Sequence, residues 1–102
     1  MKQLVLIIHN NLKQDAADLF RSIEQIQGFT FGNVEGHGAQ SGEDTFLSDR
    51  DKVVGYTPRT RVDILLEDKN VETVLTALRQ SNIGLNEHGI YWILGAEESG
   101  RL

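Results

Sequence analysis

The apolar residues of this chain change period twice, in the same order each time. Leu4 to Ile8 is an unbroken run of branched apolar side chains, the pattern of a strand covered on both faces. Leu12, Ala16, Leu19, Phe20, Ile23 and Ile26 follow at helical spacing. Asn11 offers an N-cap oxygen with Gln14 three residues on, and Gly28 supplies a C-terminal stop. Phe29 to Glu35 then reads as a second strand, with Phe29 and Phe31 on one face. The second round starts where Thr60, Val62, Ile64 and Leu66 alternate with Arg61, Asp63, Leu65 and Glu67. Asp68 is placed to cap a helix whose stripe is Val71, Val74, Leu75 and Leu78 and whose end falls near Asn82 to Gly84. Ile90 to Leu94 is the last strand, with Tyr91 and Trp92 on opposite faces, one toward the core and one toward an interface or solvent.

Two strand-helix-strand units in series predict an α+β chain with ferredoxin-like βαββαβ order. Its antiparallel sheet should run 4-1-3-2, with two helices on one face. At 102 residues this is a single domain, 1–102, with a thin stability margin that oligomerisation would widen. There is no cysteine, hence no disulfide, thiolate zinc site or thiol nucleophile. The net charge of −5 disfavours nucleic acid, which needs clustered cations, and the basic residues are scattered apart from Arg59 and Arg61. The first residues lack the length and cleavage site of a signal peptide, and no apolar stretch is long enough to span a bilayer. A cytoplasmic location without membrane insertion is the expectation.

In this topology the ends of strands one and two share an edge with the starts of strands three and four. His9, His37 and His88 all fall on that edge, beside the base of the long connection 39–58. Imidazoles suit zinc, copper or nickel, with Glu87 or Asp44 able to complete a shell. Their spacing is not local, however, and His37 lies about two strands from the others. Each histidine also reads as a loop-end residue meeting water or backbone. Gly36-His37-Gly38-Ala39-Gln40-Ser41-Gly42 can cradle phosphates through backbone amides, or simply let a strand bend into a loop. The 39–58 connection carries Glu43, Asp44, Asp49, Arg50, Asp51 and Lys52, with Val53, Val54 and Tyr56 near its base. A loop of that length and charge is expected to be mobile until a ligand or partner orders it, or else to be an idle insertion. No Ser-His-Asp pattern or paired carboxylate in an apolar setting suggests catalysis.

Three segments, GFTFGNVEGHGAQSG (28–42), the long loop closing on Pro58 before RTRVDILLED, and GIYWILGAEESGR (89–101), resemble the PII signalling family. The likeness runs from Met1 to about Arg101. It implies a homotrimer that binds adenine nucleotides in clefts between subunits and docks its long loop on a transporter or enzyme. Carried over by position, it implies that Gly36, Gly38 and Gln40, with His37 between them, line the cleft, and that Arg101 stands for a C-terminal phosphate-binding arginine. Ala39 and Ser41 replace the family's cations, and Asn86-Glu87-His88-Gly89 lacks its phosphate-binding lysine. ATP should therefore bind weakly, each lost charge-assisted hydrogen bond being worth roughly 1.5–3 kcal/mol. The family's modified loop tyrosine is unmatched: Val53 falls in its place, and Tyr56 sits too near strand three. The chain looks closer to the divergent branch of short proteobacterial PII-like proteins, whose members tend to be encoded beside heavy-metal efflux systems. In a trimer of that kind His37 would face His88 of the partner subunit, which makes the two candidate metal ligands.

The leading reading is thus a non-enzymatic PII-like regulator with a small effector between its subunits and with Asp49, Arg50, Lys52 and Tyr56 on its partner-binding loop. An adenine nucleotide or a divalent metal ion is the candidate ligand. The alternative is a CutA-like metal-binding trimer. A small ferredoxin-like isomerase or monooxygenase is a third reading, but it would need a polar pocket between sheet and helices where this sequence places apolar residues.

Overall fold

β1 (Lys2–His9) occupies the middle of a four-stranded antiparallel sheet, between β3 (Thr57–Leu66) and β4 (Ile90–Gly95), with β2 (Thr30–Gly36) beyond β3. The order β2-β3-β1-β4 is the expected 4-1-3-2 read from the other edge. The computed structural model describes residues 1–37 and 57–102 and, at His88, the backbone alone. Among the described residues three α-helices accompany it: α1 (Lys13–Ser22), α2 (Val71–Arg79) and the short α3 (Leu85–His88).

The register fixes which residues share a side, because directly opposed residues of antiparallel strands point the same way. Leu4 and Leu6 of β1 face Ile64 and Val62 of β3, and Lys2 faces Leu66. Leu4, Leu6, Ile8, Val62, Ile64 and Leu66 meet Ala16 and Phe20 of α1 and Val71, Val74, Leu75 and Leu78 of α2 in one buried cluster. Each large aliphatic or aromatic side chain buried there contributes about 1.5–3 kcal/mol. Phe20 is fully buried and meets Phe29 edge-on, with ring centroids 5.2 Å apart.

Both helices begin differently from the sequence expectation. Neither Asn11 nor Asp68 caps through its side chain. Each strand runs instead into a 3₁₀ turn, Asn10–Leu12 or Asp68–Asn70. There the backbone meets its own first amides: Lys13 N–H donates to the Asn10 carbonyl and Val71 N–H to that of Asp68. α1 also stops six residues short of Gly28. The Ser22 hydroxyl donates to the Leu19 carbonyl at 2.6 Å, and Ile23 turns extended at φ −90°, ψ 113°. Ile23 and Ile26 still reach the core, from a turn closed by Ile26 N–H on the Ile23 carbonyl.

β4 departs most from expectation. Tyr91 lies opposite Leu6 on the helix side and Trp92 opposite Val5 on the outer side, yet neither is buried, at 45% and 39% exposure. The strand is an edge, so even its core-facing side chains lack a neighbour on one flank.

Candidate functional site

Four element ends meet where β1 finishes, β2 finishes, β3 begins and β4 begins. His9 is paired in register with Arg59, and Gly36 with Thr57. The Arg59 side chain crosses Gly36 closely enough that a Cβ there would stand 3.1 Å from Arg59 Cγ and 3.4 Å from Nε. From there its Nη1 reaches the His9 ring, in contact with Nδ1 and 3.0 Å from Nε2. Asn10 Oδ1 takes a hydrogen bond from Thr60 Oγ1 at 3.0 Å, while the buried Thr57 hydroxyl has no partner among the described residues. The sheet end thus presents a cation, a hydroxyl and a glycine-thinned backbone, which is chemistry suited to a small anion.

Gly36 ends β2 and His37 follows it, at this same end of the sheet. His37 Nε2 lies 3.3 Å from Glu35 Oε2, with both side chains exposed. His88 closes α3 two residues before Ile90, which is opposite Ile7, so its backbone reaches the same end of the sheet as His9. Among the described residues no three His, Asp or Glu side chains come together as a metal shell. Arg101 follows a strand that leaves at the other end, with Gly95 opposite Lys2, and it forms no ion pair among the described residues. Gly38, Gln40, Asp49, Arg50, Lys52 and Tyr56 lie outside the described residues.

The outer face of the sheet is built in rows. Leu65, Gln3 and Leu94 form one row, Thr30, Asp63, Val5 and Trp92 the next, then Gly32, Arg61, Ile7 and Ile90, and last Val34, Arg59 and His9. On β1 and β4 this face is mostly apolar, through Val5, Ile7, Ile90, Trp92 and Leu94, of which Ile90, Trp92 and Leu94 are exposed. The β3 half is charged. Arg61 donates to Asp63 from Nε and Nη2, both at 3.1 Å, and Gln3 Nε2 donates at 2.8 Å. The Arg61 hydrogen bonds, supported by Gln3, hold the Asp63 carboxyl below its ordinary value. Arg61 also lies 6.0 Å over the Trp92 ring, joining the two halves.

Sequence reasoning missed the contact of Arg59 with His9, noting Arg59 only as half of a basic pair. The signal was its place, first after Pro58 and opposite a strand-ending histidine.

Residues 1–102 match in full the family described as "Protein of unknown function (DUF3240)". The chain belongs to the DUF3240 family. Its fold is that of a DUF3240 family protein from Shewanella baltica OS155, with a TM-score of 0.77 and 26% identity over 99% of this chain and 94% of that one. The DUF3240 chain is also similar to proteins named nitrogen regulatory protein P-II. The relative from Rhizobium leguminosarum bv. viciae is 32% identical over 56 residues, which are 55% of this chain and only half of that protein's length. "Nitrogen regulatory protein P-II 2" of Methanothermobacter thermautotrophicus is 27% identical over 103 residues, spanning all of this chain and 89% of that protein. These relatives carry a regulatory name, not a catalytic one, and this chain is similar to them at a distance. No helix among the described residues is long and apolar enough to cross a membrane.

Proposed function

We propose that this DUF3240 chain is a regulator that assembles as a homotrimer through the outer face of its sheet. It holds a small anionic effector at the Arg59 end of each subunit boundary and signals occupancy through residues 38–56 to a transporter or enzyme. The observation that carries this reading is the division of one face into an apolar half and a charged half that ends at Arg59 and His9. The apolar half supports burial against a sister copy, since an exposed cluster of Ile90, Trp92 and Leu94 is costly in water. The charged half then borders the boundary, where a guanidinium and an unpartnered hydroxyl meet an anion. The P-II relatives support a regulatory role. Ala39 and Ser41, standing where the resemblance has cations, support a weaker hold on ATP than on a smaller anion.

Native mass spectrometry of the full chain with adenine nucleotides, small dicarboxylates and divalent metals tests it. The expected result is a trimer retaining an anion that Arg59→Ala no longer retains. A monomer at working concentration, or a ligand held equally by Arg59→Ala, overturns it. A trimer that keeps zinc and loses it in His37→Ala would favour the metal-binding alternative.

A further inference from the structure

On the opposite side of the sheet from the outer face, α2 and α3 leave part of β1 and β4 uncovered. The gap is a pocket of about 410 Å³, walled by Leu6, Leu75, Leu78 and Leu85 and rimmed by Arg79, Asn86 and Tyr91. That volume lies within the range of about 300–1,000 Å³ usual for small-molecule sites. Its origin is topological. β4 is an edge strand, and the connection after α2 turns through Gly84, at φ +92°, so that α3 drops only Leu85 into the core. Tyr91 is therefore half exposed although it lies opposite Leu6 on the core side.

The rim has a feature that the walls do not explain. Arg79 Nη2 donates to the Tyr91 hydroxyl at 2.9 Å, and the guanidinium sits 5.6 Å from the centroid of that ring. This pins Arg79 across the mouth while engaging one of its five N–H donors in a side-chain hydrogen bond. Among the described residues no carboxylate pairs with it, in a chain that carries 15 acidic residues. An unpaired, oriented guanidinium over an apolar pocket is the recognition pattern for a molecule with a hydrocarbon body and a carboxylate head. Such a head is met bidentately, and the body displaces water from leucine side chains.

We propose that this pocket is a binding site for small amphiphilic carboxylates, alkyl or aryl, separate from the effector cleft on the other face. Arg79 holds the head, Asn86 offers a further amide donor at the rim, and the leucine walls take the body. The site needs neither the trimer nor the effector, so it stands or falls apart from the regulatory reading.

The test is a titration of the ¹⁵N-labelled full chain with sodium octanoate and, separately, octan-1-ol, followed by amide chemical shifts. The expected result is saturable shifts confined to residues 75–79 and 85–91. Arg79→Gln, which changes an exposed side chain and should keep the thermal midpoint, weakens octanoate about tenfold and leaves octan-1-ol unchanged. No saturable shift up to the solubility limit of octanoate overturns the proposal. So does equal octanoate affinity in wild type and Arg79→Gln, or shifts centred on the outer sheet face.

Discussion

Gly89 follows α3 with its N–H on the Leu85 carbonyl at 3.0 Å, and a Cβ at this position would run into that same oxygen. Gly89→Ala must push α3 off its seat, so it should cost about 1–3 kcal/mol, read as a lowered denaturant midpoint. Asp63 gives a pH-dependent counterpart. Its carboxyl is held below the ordinary 3.8 by Arg61 and Gln3, so the charged form stabilises the fold. That contribution is whole above the ordinary value and fades as pH falls through the depressed one. The pair is about one-third exposed, so the effect is small. Comparing urea midpoints of wild type and Asp63→Asn between about pH 6 and pH 3 should show a wild-type advantage that is full at the upper end and smaller at the lower. These residue roles were only partly legible in the sequence. Gly36 and His37 could be placed because they end a strand. Arg59 could not, because its importance lies in a cross-strand pair with His9, fifty positions away.

At the scale of elements, apolar runs, alternation and helical spacing located the four strands and two longer helices of the described residues; β1, β3, α1 and α2 bury a stripe, whereas the edge strands β2 and β4 bury none. α3 was illegible: four residues with one apolar side chain carry no period. The 3₁₀ lead-ins were hidden too, because Asn11 and Asp68 look like caps while the backbone does the capping. Ile23 and Ile26 mimicked a continuing helix because a turn can place two residues three apart toward the same core. The α1 seat depends most on Phe20, which packs against Phe29 and Phe31. Phe20→Ala should cost about 3–5 kcal/mol in equilibrium unfolding, a large share of a small domain's stability. A loss well under that would mean the aromatic trio is less tightly packed than its centroid distances indicate.

At the scale of the whole molecule, the proposed trimer rests on one face. Trp92→Lys sets an ammonium into its apolar half, beside Val5 and near Arg61. Size-exclusion chromatography with light scattering should then give a smaller, still folded species, whereas an unchanged trimer would place the interface elsewhere. The topology behind this face was legible from the order of elements, but its apolar and charged halves required the register.

The direct pairing of Gly36 with Thr57 reaches further. It brings the two ends of the intervening stretch together at a hairpin mouth, and closing a longer chain across such a mouth costs only slowly more as length grows. Swapping residues 37–56 for an Asn-Gly turn should therefore leave the sheet intact by circular dichroism while abolishing regulation of any partner. On the regulatory reading proposed above, the scaffold is a socket: descendants of this chain could exchange what is plugged in there, and so acquire new clients, without redesigning the domain that holds it.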